Sequence, residues 1–115
     1  MNGYFIEQVI VERVFCERYK RTKEYLKSLT HNVIVGDIDG FAEVLQLEID
    51  RLGKEDKVSD KDKLQVVGTI AFEEQLRITT VNKKNPYIVA LLSYHKVTDW
   101  FDVTHKKERA IRLIK

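Results

Sequence analysis

One cysteine in 115 residues leaves no partner for an intrachain disulfide, which excludes the stapled folds of small secreted proteins. No apolar run approaches the roughly 20 residues of a membrane span. The first residues lack the apolar core and small-residue cleavage site of a secretory leader, so a cytoplasmic location without membrane contact is the expectation. Charge of one sign is also missing, since 20 Lys plus Arg offset 18 Asp plus Glu. The pI near 8.6 lies below the value above about 9 that marks a dedicated nucleic-acid domain. Phosphate-loop, dinucleotide, zinc-protease and paired-cysteine motifs are absent.

What is present is a globular composition, 43% apolar and 33% charged, at a length that fits one domain over 1–115. Charge is uneven along the chain. Residues 1–36 carry +2, residues 37–63 carry −4 and residues 64–115 carry +4, so an acidic middle separates two basic ends.

Neither Gly nor Pro interrupts residues 4–29. Within them Val11, Phe15, Tyr19, Thr22, Leu26 and Leu29 recur at steps of three and four, one stripe of a helix expected over about 13–29. Residues 4–12 are rich in β-branched side chains and fit a strand as well as a helix. After the short apolar segment 32–36, Ile38, Phe41, Ala42, Leu45, Ile49 and Leu52 again keep helical spacing. Asp37 and Asp39 stand where a helix N-terminus favours negative charge, and Gly53 where a left-handed cap is expected. Leu45, Leu47 and Ile49 also alternate, a competing strand pattern. Residues 54–63 hold one apolar side chain in ten and are expected as an exposed charged loop.

From Leu64 the period becomes two. Strands are expected at 64–72, 75–81, 87–94, 97–105 and 109–114, with polar turns between them, including one at His95-Lys96. Residues 99–114 have a helical alternative. The fold class is therefore α+β, an N-terminal helical part followed by a mostly antiparallel five-strand meander. Either a small, partly open barrel or an open sheet covered by helices would bury its apolar residues. The expected core is Phe15, Leu26, Phe41, Leu45, Ile49, Val67, Ile70, Ile78, Ile88, Val89 and Leu91.

Chemistry-bearing residues are few. Cys16 sits beside Phe15, far from every histidine in sequence, as an inert buried thiol would. His31, His95 and His105 lack the close spacing of a zinc site. Asp37, Asp39 and Glu43 form an acidic turn in which a small metal-dependent enzyme would place its ligands, but helix capping accounts for both aspartates. No cofactor is implied.

The basic clusters are the main functional pointer. Lys20, Lys23 and Lys27 share a helix face with Arg18 and Arg21 beside them, while His105, Lys106, Lys107, Arg109, Arg112 and Lys115 crowd the C-terminus. Solvated surface, and protection of an edge strand, explain each cluster alone. Joined on one side of the fold, Lys20, Lys23, Lys27, Lys106, Lys107, Arg109 and Arg112 would make a phosphate-binding surface, with Tyr19, Tyr94 or Trp100 as stacking faces. The leading expectation is a small non-catalytic regulatory module binding RNA or single-stranded nucleic acid. The alternative is a protein-interaction module such as a small inhibitor, immunity-type or mobile-element accessory protein, with the charged 54–63 loop as a contact.

Overall fold

A computed structural model of the chain describes residues 3–13, 17–68, 74–81, 87–97 and 111–114, the last as backbone. Ile6, Val9, Ile10 and Val11 lose side-chain freedom in a helix, and the chain takes the other course: Gly3–Val11 is strand β1. The first helix is accordingly shorter than its stripe implies. Residues 17–19 form a turn, Tyr19 has the non-helical backbone φ −112, ψ 47, and α1 spans Lys20–Ser28. Tyr19, Thr22, Leu26 and Leu29 of the stripe are buried, whereas Val11 belongs to β1.

Strand β2, Asn32–Val35, follows, and Gly36 turns the chain at φ 113, a backbone that side chains rarely adopt. Helix α2, Ile38–Glu55, starts as its sequence dictates: the Asp37 carboxylate accepts the Gly40 N–H at 2.6 Å. Phe41, Leu45, Ile49 and Leu52 are buried, and Leu47 is 70% exposed, so the alternating pattern there was coincidental. Gly53 does not end the helix. Lys57 takes the left-handed position at φ 58, with Lys57 N–H bonded to Lys54 O and Val58 N–H to Gly53 O, the paired bonds of a Schellman ending. Only the later part of 54–63 is therefore loop, with a 3-10 turn at Asp60–Asp62.

Three strands follow as an antiparallel run: β3 Leu64–Val67, β4 Gln75–Thr80 and β5 Ile88–Val97. The strand expected at 97–105 lies, beyond Val97, outside the described residues. His95 and Lys96 are no turn but paired residues near the end of β5, opposite Phe5 and Tyr4 of β1. Because β1 fills that side of β5 from Ala90 to Val97, the last strand pairs elsewhere: β6, Ile111–Ile114, lies parallel to β2. The sheet order is β3-β4-β5-β1-β2-β6, five antiparallel strands curled into a half-barrel plus one parallel edge. The fold is α+β, with β1 placed before the helices rather than after them.

Both helices cover one face, α1 against β1 and α2, α2 against β3. That face supplies one continuous core including Ile6, Ile34, Leu45, Ile78, Leu92 and Tyr94. A register shift on β5 turns both Val89 and Ala90 into this core and leaves Ile88 outward and 44% exposed, against its expected burial. Val67 and Leu91 are half-buried, while Phe15 and Ile70 lie outside the described residues. No described helix is long and apolar enough to cross a membrane.

Candidate functional site

Helix α1 carries Lys20 and Lys27 exposed and Lys23 half-buried. None of the three forms an ion pair with a described residue. Their arginine neighbours differ. Arg18 Nη1 lies 3.3 Å from Asp62 Oδ1, and Arg21 Nη1 lies 3.6 Å from Glu55 Oε1. Arg21 also donates to the Glu55 carbonyl at 3.1 Å, while its backbone N–H donates to Asp56 Oδ2 at 3.1 Å. The start of α1 and the end of α2 thus cap each other, an acid at the positive helix end and a cation at the negative one. Each exposed pair is worth little alone. Together they fold the acidic middle of the chain onto its basic beginning, so two of the five cations counted on this helix are already answered.

The expected stacking faces are spent on packing. Tyr19 is 3% exposed and its hydroxyl donates to the Asp62 carbonyl at 2.6 Å. Burial first, and then the Asp62 charge, push its phenol pKa up. Tyr94 is buried, edge-on to Tyr4 at 5.3 Å between ring centres. Cys16, Trp100, His105, Lys106, Lys107 and Arg109 lie outside the described residues, as does the side chain of Arg112, whose backbone pairs with Val33. The proposed joining of the two basic ends therefore rests on α1 alone.

Asp37 is committed to its cap, and Asp39 and Glu43 are exposed on α2. Among the described residues no three His, Cys, Asp or Glu side chains come together as a metal site.

The sheet's other face, on which no described helix packs, holds residues the sequence did not single out as a group. Phe5, Val33 and Val97 make a second buried cluster. The Phe5 ring is stacked by His31, centres 5.8 Å apart and planes 4° from parallel, and met at a tilt by His95 at 5.5 Å. Glu7 pairs with His95 Nδ1. His31 holds the left-handed backbone φ 68 while its N–H donates to Ile6 O at 2.7 Å. Spacing could not reveal this group, because Phe5 meets His95 and Val33 only through strand pairing.

Further along the same face, cross-strand neighbours Ile10, Leu91, Arg77 and Val67 form one row, with Ile88 opposite Thr79 in the next. Of the exposed large apolar residues described, Ile10, Tyr87 and Ile88 lie on β1, on β5 or just before β5. Comparison with protein-family models, with curated proteins and with solved structures gives no match.

Proposed function

We propose that the protein is a non-catalytic binding module whose partner is another protein, seated on the face of the sheet against which no described helix packs. The observation that carries this is the row of Ile10 and Leu91, with Ile88 beside it, where Ile10 is 49% and Ile88 44% exposed. Their neighbours Gln65, Gln75 and Ser93 are uncharged, and Arg77, paired with Leu91, is a residue type enriched in protein interfaces. The partner of matching chemistry offers a largely uncharged apolar patch. The test is retention of proteins from the host's extract on immobilised wild type and on an Ile10→Asp, Ile88→Asp variant. A retained protein, purified, is then titrated against both. Affinity at least about tenfold weaker for the variant, at equal folded stability, is the expected result. Equal retention by both overturns the reading.

One observation favours the nucleic-acid reading: Lys20, Lys23 and Lys27 share a face of α1 with no ion-pair partner among the described residues. Anisotropy with single-stranded RNA and DNA tests it. Binding should lose about 0.7 log unit per log unit of salt for each phosphate contact, and Lys20→Ala, Lys23→Ala and Lys27→Ala together should abolish it. No binding at micromolar protein removes this reading and leaves the first in place.

A further inference from the structure

Strand β3 ends the sheet order, so no described strand pairs with its outer side. In an antiparallel pair the N–H and C=O of alternate residues turn away from the partner. On β3 two of these outward groups, one from Leu64 and one from Val66, are met by a single side chain of α2. Val66 N–H donates to Gln46 Oε1 at 2.7 Å, and Gln46 Nε2 donates to Leu64 O at 3.1 Å. The second Nε2 proton goes to Asp50 Oδ1 at 3.0 Å, one helical turn further on. Both donors and the acceptor of the carboxamide are therefore used, and its orientation is fixed by three partners. Gln46 offers the edge the same donor and acceptor that a residue of a neighbouring strand would offer.

Strand β3 has few guards of its own. It is short, at four residues, but Leu64-Gln65-Val66-Val67 carries no charge and no proline, and its register with β4 runs without a shift. We infer that Gln46 stands in for a further strand and keeps β3 from joining, edge to edge, the β3 of a second copy of the chain. A second copy is the matching occupant because this edge is self-complementary. With a two-fold axis at Gln65, Val66 N–H of one copy meets Leu64 O of the other, and the reverse. The same register sets Lys63 opposite Val67 and Asp62 opposite Gly68, so no like charges meet across the seam. The inference is independent of the partner proposed for the sheet face, since Ile10 and Ile88 lie on β1 and β5, which have a strand on either side.

The test is self-association of the whole chain, by analytical ultracentrifugation, in Gln46→Ala and in Gln46→Met. Alanine and methionine both favour helix, and methionine also keeps the length of the stem, so α2 is retained while the amide is lost. Wild type is expected to stay monomeric up to about 1 mM, whereas both variants should form a reversible dimer with a Kd on the order of 100 μM. Amide hydrogen exchange locates the seam. Val66 N–H should exchange at least about tenfold faster in dilute Gln46→Ala than in wild type, and slow again as the concentration is raised. Adding Gln65→Lys to Gln46→Ala sets two ammonium groups opposite each other and should restore the monomer. Variants that stay monomeric at the highest concentration overturn the inference. Association that survives Gln65→Lys overturns it too, by placing the contact elsewhere, as does wild type that associates as strongly as the variants.

Discussion

The two faces of the sheet are buried by different means. On the helix side, amphipathic segments bring their own apolar stripes, and Ile6, Leu45, Ile78 and Leu92 close to 1% exposure or less in one core. On the other side only Phe5, Val33 and Val97 are buried together among the described residues, with an imidazole stacked on the phenylalanine, and farther along Ile10 and Ile88 stay in contact with water. Stability is concentrated on the first face. The second leaves apolar surface at Ile10 and Ile88 that no described helix covers.

Removing packing from the helix side should have the largest effect: Leu45→Ala is expected to cost about 2–5 kcal/mol in denaturant unfolding. A loss below about 1 kcal/mol would break the contrast between the faces.

At the margin of that core, Tyr19→Phe should cost about 1 kcal/mol through loss of the bond to Asp62 O. It also has a pH signature. Burial raises the phenol pKa values of Tyr4, Tyr19 and Tyr25 above the usual 10.0. Their contribution is fully present below pH 10.0 and is lost as pH rises through the raised folded values. The Tyr19→Phe variant should therefore show a shallower alkaline decline in Tm.

On the second face, His31 combines an aromatic contact with a left-handed backbone. His31→Ala keeps the strain and loses the ring, whereas His31→Gly loses both, so Gly should exceed Ala in stability by about 1 kcal/mol. Equal stabilities would mean that the ring, not the backbone, governs this corner.

Away from both faces, Glu48 is held below its usual pKa by its hydrogen bond from Arg51. This stabilisation is present above pH 4.5 and fades as pH falls through the lowered value. Glu48→Gln should lessen acid sensitivity and change stability by less than about 1 kcal/mol, because the pair is exposed. Smallest of all, Ile10→Ser should stay within about 0.5 kcal/mol. A large loss there would show that the sheet's second face is covered after all.

The helix side was legible because its signals are local. Asp37, Phe41, Leu45 and Ile49 lie within one stretch of chain, and each carries its cap or its stripe in the order the helix needs. The other side depends on pairings between distant residues. His95-Lys96 is polar and interrupts an apolar run, which is how a turn looks, yet opposite Phe5 and Tyr4 it is ordinary strand. Ile88 belongs to an apolar run as well, and only the shift at Val89 turns it outward. Charge misled in the same way. Arg18 and Arg21 add to a basic count along the chain, but their acids stand more than thirty positions later. Thr22 looked like one more member of a stripe, and nothing local marks its hydroxyl as left without a partner.

The sheet order has a consequence for how the chain comes to be folded. Strand β1 is synthesised before the other described strands and lies near the middle of the sheet, flanked by β2 and by β5, and β5 ends at residue 97. A growing chain on the ribosome can join β1 to β2 around α1 early, but one side of β1 waits for more than eighty further residues before its partner is complete. During that wait Val9, Ile10 and Val11 offer an unfilled, β-prone edge to any other nascent chain. Topology of this kind makes folding slow compared with a bundle of similar size, and it places the hazard of misassembly in translation rather than in the finished molecule.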